Sequence, residues 1–215
     1  MNSSAEPIFL RAAHAAAVHE AAVARLRAAL DTAFDTCATP ADPSHCAAFA
    51  RGVRGALAQA LAEPALVMGP QREGSNASYR RHIVAADPAG RYTVAALVWQ
   101  PGQASPIHAH HTWCGYAVLE GTLTETLYAW DAMLGGADVV RAHPRARGAV
   151  SFGGRDRGRG GIHRLSNGGN AQAVSLHVYG VDATRIATHV NDVVSLAAPV
   201  PAPLATLEFH GGAHL

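Results

Sequence analysis

The sequence predicts a mainly β protein, a sandwich or barrel of short strands preceded by two α-helices. Two observations predict it. Up to Pro64 apolar residues recur every three or four positions, the helical period. Beyond it the chain breaks into short β-prone runs punctuated by Gly, Pro, Asn and Asp.

Residues 8–35 read as the first helix, with Ala16, Val23, Leu26, Leu30 and Phe34 forming one apolar stripe. Pro40, Asp42 and Pro43 break the chain. Ser44 is placed to cap a second helix, on which Phe49, Val53, Leu57 and Leu61 share a face, and Pro64 ends it. The expected strands then cover residues 79–86, 92–99, 113–119, 124–130, 139–141, 149–152, 162–166 and 173–179. Many short strands between turn residues are the pattern of a sandwich or barrel. The expected organisation is one domain over 1–215: a helical region to about residue 65 packed on a β region over 66–200. Residues 201–215 form a tail lying along the surface.

Composition narrows the class. The chain has 215 residues, 49% hydrophobic and 15% charged, enough for one sizeable core and unlike a disordered chain. Net charge is +1, and every basic side chain other than histidine is Arg. That balance favours neither nucleic acid nor an anionic membrane as partner. The absence of Lys and the abundance of Ala read as the bias of a GC-rich, bacterial genome. Three cysteines, Cys37, Cys46 and Cys114, are too few and odd in number for a disulfide framework. No apolar run approaches the ~18 residues of a membrane span, and the start lacks a signal-peptide pattern. The expected compartment is the reducing cytoplasm.

The chemistry concentrates between Gly102 and Gly121. His108 and His110 stand two apart on an extended segment, so both imidazoles point to one side. A third ligand has to come from another strand, and the segment holding Gly160, His163 and Asn167 offers His163. Three neutral imidazoles on rigid β-structure suit a first-row divalent metal and leave coordination positions open. His14, His19, His45, His210 and His214 lie outside this pattern and read as surface residues.

Gly102-x5-His108-x-His110-x3-Cys114-x6-Gly121 resembles the first cupin motif, and Gly160-x2-His163-x3-Asn167 resembles part of the second. Most cupins carry a metal-binding Glu where Cys114 stands. Cys there, with three His, is similar to the thiol dioxygenase branch, the cysteine dioxygenases. Tyr79-Arg80-Arg81 matches that family's Tyr-x-Arg element and Ser175-Leu176-His177-Val178-Tyr179 its Ser-x-His-x-Tyr element. Trp99, the segment 105–108, the strand 123–127 and the strand 162–167 also fit, so the similarity runs from about Tyr79 to about Tyr179.

The resemblance implies a cupin barrel and an Fe(II) centre on His108, His110 and His163. It implies oxidation of L-cysteine by dioxygen to cysteine sulfinic acid, both oxygen atoms entering the product. The partners are then a small thiol and dioxygen, with no nucleic acid or membrane. Three neutral ligands leave three positions and a dipositive charge that favours a bound thiolate. Arg81, with Tyr79 beside it, is implied to bind the substrate carboxylate as a bidentate pair, while Arg80 faces the other way. Ser175, His177 and Tyr179 share a strand face; the implied relay runs from Ser175 through His177 to the Tyr179 hydroxyl. His111 and Trp113 are candidates for the pocket edge, with packing the stronger role for Trp113.

Cys114 keeps three readings: a small buried residue, a group that narrows the pocket, or a thioether partner of Tyr179 as in mammalian-like relatives. Two departures bear on the third. Cys114 follows His110 by one residue fewer than in that pattern, and Gly180-Val181 follows the Tyr. Two other functions stay open: a 3-mercaptopropionate dioxygenase, whose members carry Gln where Arg81 stands, and a non-enzymatic metal-binding cupin.

Overall fold

The computed structural model describes residues 8–37, 42–154 and 160–197. The expected tail 201–215, with His210 and His214, lies outside the described residues, as does Pro40.

Helix α1 runs Ile8–Asp35 and α2 runs Ala47–Ala60. Ten strands follow: β1 Arg80–Ala86, β2 Thr93–Trp99, β3 His108–His110, β4 Cys114–Glu120, β5 Thr122–Asp131, β6 Gly136–Ala146, β7 Val150–Gly153, β8 Ile162–Ser166, β9 Ala173–Tyr179 and β10 Asn191–Val193. They form two five-stranded sheets, in the orders β1-β2-β9-β4-β7 and β10-β3-β8-β5-β6. Every strand pairing within them is antiparallel. The fold is mainly β with two N-terminal helices. No described helix is long and apolar enough to cross a membrane.

The first sheet is covered on both faces. Val94, Ala96, Ala117, Leu176 and Val178 point outward and pack under Leu26, Leu30, Phe49, Val53 and Leu57 of the helices. Their neighbours Ala95, Leu97, Trp99, Cys114, Tyr116 and Tyr179 point inward, where they meet Leu123 and Leu165 of the second sheet. Hence β2 and β9 are buried along their whole length, as strands sandwiched between two layers must be. Trp113 belongs to the outer layer, edge-on to Phe49 at 5.0 Å and to Phe34 at 6.1 Å. Arg91 fastens α1 to the β1–β2 turn: its guanidinium reaches Asp31 and bonds Asp87 from Nε at 2.7 Å.

Several local expectations change. Ser44 does not cap α2. It sits in a short 3-10 turn, Pro43–His45, where its own N–H and hydroxyl donate to the Asp42 side chain; Cys46 takes the cap position without a side-chain bond. Ala16 is exposed, so the apolar stripe of α1 is buried only from Ala22 onward. The 139–141 run is the middle of a longer strand, since β5 pairs with β6 from Thr122 to Asp131. Pro144 is tolerated there because β6 is an edge strand, where a missing N–H breaks no ladder bond. β3 and β10 are three-residue strands too short for periodicity to reveal.

Phe49 is fully buried where α2, Phe34 and Trp113 meet. Phe49→Ala is expected to cost about 3–5 kcal/mol, the range for emptying a buried aromatic site, read as a lower urea midpoint. The inward-facing residues of the second sheet do not contact it, so the metal bound per folded chain stays at the wild-type value.

Candidate metal centre

The short strand β3 holds His108 and His110 on one face, and its pairing with β8 sets His108 directly opposite His163. Direct cross-strand neighbours have Cβ atoms about 4.5–5.5 Å apart, so register alone brings the third imidazole to the other two. Ring centroids stand 4.7–5.1 Å apart, and one nitrogen from each ring lies within 4.8 Å of the other two. The three are placed to hold one metal ion.

The tautomers follow from the hydrogen bonds. His108 Nδ1 donates to the Pro106 carbonyl at 2.9 Å, and His163 Nδ1 donates to Glu125 Oε1 at 3.0 Å. Both leave the Nε2 lone pair free, and His163 Nε2 lies 3.0 Å from His110 Nε2. That separation matches two imidazoles at right angles about a shared ion with bonds of ~2.1 Å. Burial, and then the neighbouring His163, pushes the pKa of His108 down to about 3 and that of His110 well below its usual value. His108 and His110 are therefore neutral at neutral pH, the state a metal ligand needs. The donor set fits a first-row divalent metal cofactor.

Beside these rings lies a narrow cavity of about 20 Å³, lined in part by Tyr79, Arg81, Trp99, His177, Tyr179 and Asn191. Arg80 is exposed and Arg81 turns inward, as alternation requires. One arm of Arg81 donates to the Ile186 carbonyl at 3.0 Å, while its Nε is buried without a partner. Its guanidinium lies over the Tyr179 ring, 5.5 Å from the centroid. Tyr79 stacks on Trp99 at 4.5 Å.

The Ser175–His177–Tyr179 relay is only half present. Trp99 Nε1 donates to Ser175 Oγ at 2.9 Å, and Ser175 bonds His177 Nε2 at 2.9 Å. His177 Nδ1 is buried without a partner. The His177 ring stacks face to face between Tyr116 at 5.3 Å and Tyr179 at 5.6 Å, so it meets the face of the Tyr179 ring and not its hydroxyl. Alternation along β9 correctly aligns the three side chains, but a shared face does not fix which way each ring edge turns.

Cys114 is the direct cross-strand partner of Tyr179. The shorter spacing after His110 therefore leaves the sulfur on the strand face of the Tyr. Burial raises the Cys114 thiol pKa far above its usual range, and burial with Cys114 beside it does the same for Tyr179. His111 is exposed and stands on a separate surface cavity, outside the histidine cluster.

Glu125 is the residue that sequence reading passed over. It is 4% exposed on β5, between the inward Leu123 and Leu127 positions, and it holds His163 from behind. Burial would raise its pKa, but His163, Arg145 and Tyr116 hold the carboxyl down to about 2. An acid at an inward strand position was the available signal, because such residues are almost never buried without a partner. Asn191 and the Ile186 carbonyl carried no comparable signal.

Residues 75–190 match the family described as cysteine dioxygenase type I, a span that holds the three histidines, Arg81, Glu125 and Tyr179. Solved structures of low sequence identity also match. A Thermus thermophilus protein is 18% identical, with 52% of this chain and 91% of that chain covered and a TM-score of 0.41. A Klebsiella pneumoniae protein with a double-stranded β-helix domain is 16% identical over 59% and 92% of the two chains, TM-score 0.42. A cupin 2 conserved barrel domain protein of Salinispora arenicola is 20% identical over 51% and 80%, TM-score 0.36.

Ser175→Ala removes one hydroxyl that satisfies two buried groups, Trp99 Nε1 and His177 Nε2. Each lost partner costs about 1–3 kcal/mol, so urea unfolding is expected to show a loss of at least about 2 kcal/mol. Ferrous iron bound per folded chain, measured by chelator assay, is expected to stay at the wild-type value because Ser175 touches no metal ligand.

Proposed function

The chain belongs to the cysteine dioxygenase type I family, and from that premise we propose that it oxidises L-cysteine with dioxygen to cysteine sulfinic acid. Both oxygen atoms enter the product, and the metal is Fe(II) on His108, His110 and His163. The observation that carries this reading is the meeting of three convergent imidazoles, a buried Arg81 Nε without a partner and the Tyr179 hydroxyl at one cavity.

When bound, ferrous iron supplies the redox chemistry that lets dioxygen react with a thiolate. The protein's own residues do the rest. Three neutral rings add no negative charge, so the site keeps the charge of the ion and favours an anionic sulfur. Arg81 receives the substrate carboxylate on its unpartnered Nε edge, and its bond to Ile186 keeps the guanidinium from swinging away. Because that guanidinium also lies over the Tyr179 ring, carboxylate binding and placement of the phenol are coupled. The walls of Leu97, Trp99 and Leu165 keep the cavity poor in water, which strengthens both charge pairs.

Arg81→Ala is expected to raise the cysteine KM by at least about tenfold, the effect of losing ~1.4 kcal/mol of a charge-assisted pair. Oxygen uptake with cysteine and with 3-mercaptopropionate tests the substrate: a far higher kcat/KM for 3-mercaptopropionate overturns the cysteine reading. His163→Ala is expected to lose most bound iron and nearly all uptake, and full iron loading in that variant overturns the ligand assignment.

The cross-strand pairing of Cys114 with Tyr179 supports a thioether between them, formed slowly as dioxygen removes one hydrogen from each side chain. Digestion after prolonged aerobic turnover is expected to yield a linked Cys114–Tyr179 peptide, lighter by that pair of hydrogens. Cys114→Gly is expected to lack the product and keep substantial activity. An unmodified Tyr179 peptide refutes the link without touching the oxidation itself.

A further inference from the structure

The metal shell contains no carboxylate, yet one stands directly behind it. Glu125 Oε1 accepts the Nδ1–H of His163 at 3.0 Å, while Oε2 accepts from Arg145 Nε at 2.8 Å and faces His143 Nε2 at 3.3 Å. Arg145 Nε also lies 3.0 Å from the Tyr116 hydroxyl. The group is assembled from β4, β5, β6 and β8: His143 lies directly across from Glu125 on β6, and Arg145 across from Leu123. Both carboxylate oxygens are engaged, and the side chain is 5% exposed.

We propose that Glu125 is the positioning residue that supplies, from behind His163, the negative charge that the metal shell lacks, and that Arg145 limits how much of it reaches the imidazole. The inference rests on the proposed iron site. A carboxylate that accepts the Nδ1–H draws that proton toward itself and makes Nε2 a stronger donor. A ligating Glu would have occupied a coordination position; a Glu behind the ligand leaves it open. Arg145 pulls the other way by drawing the carboxylate charge to itself, so the two residues act on His163 with opposite signs.

The test uses iron-loaded full-length protein and reads properties other than turnover. Glu125→Gln keeps an acceptor oxygen for His163 but removes the charge. Its Fe(II) affinity by chelator competition under anaerobic conditions is expected to fall about 10- to 100-fold, and its Fe(III)/Fe(II) midpoint is expected to rise. Arg145→Met removes the opposing cation, and its midpoint is expected to fall. Arg145→Lys, which keeps the charge, is expected to stay near the wild-type midpoint, and Arg145→Gln, which removes it, is expected to lower the midpoint and reads the same coupling if the Met variant fails to fold. A residue that merely braced the strands would move the Glu125 and Arg145 variants the same way. Shifts of one sign, or a Glu125→Gln protein with wild-type affinity and midpoint, overturn this assignment and leave thiol oxidation standing. The opposite shifts in a protein that consumes no oxygen with any thiol overturn the oxidation and leave this assignment standing.

Discussion

Three imidazole nitrogens within 4.8 Å of one another are the constraint on which the rest of this structure depends. Such rings repel if protonated, and if neutral they share at most the one His110–His163 N···N contact at 3.0 Å, too little to gather three rings. The fold supplies the restraint. β3 is three residues long and is held between β8 and β10, so its two histidines cannot turn away without breaking both ladders. The Pro106 carbonyl and Glu125 then take the outer nitrogens of His108 and His163. Burial supplies the protonation state of His108 and His110 by making a charged ring too costly to keep.

The same demand accounts for the two-layer covering of the first sheet. Polar groups such as Ser175, His177 and Tyr179 can occupy the interior because β9 spends its other face on Leu176 and Val178 under the helices. An apolar layer outside thus permits a polar layer inside. The helices touch no metal ligand and still contribute to the site, by sealing the strands that carry Cys114, His177 and Tyr179. The Trp99–Ser175–His177 chain is the inner counterpart: each buried donor finds an acceptor until the chain stops at His177 Nδ1.

Charge is arranged in depth as well. The nearest groups around the three rings are Arg81 on one side and Glu125 on the other, and each is tied to a partner that keeps it in place. Arg81 leans on Ile186 and Tyr179, Glu125 on Arg145 and Tyr116. A cation faces the cavity and an anion stands behind a ligand, an order suited to admitting an anionic small molecule beside a metal.

The sequence by itself determined the elements and much of the site. The 3.6-residue period of α2, the alternation along β9 and the His-x-His spacing each follow from local geometry, and each placed its side chains on the correct face. So did the inward turn of Arg81 against the outward turn of Arg80. What only the tertiary structure decided depends on register and on ring orientation, which no single strand encodes. The His108–His163 pairing, the Cys114–Tyr179 pairing and the reach of Glu125 to His163 arise between strands far apart in the chain. The orientation of His177, stacked on Tyr179 instead of bonded to its hydroxyl, was settled by Tyr116, Ser175 and Trp99 crowding the same interior. Ser44 lost its capping role because α2 starts two residues beyond it, at the Cys46 cap, and its hydroxyl donates to Asp42 instead. Local periodicity fixes which way a side chain points; which neighbour it meets there is fixed only when the sheets close.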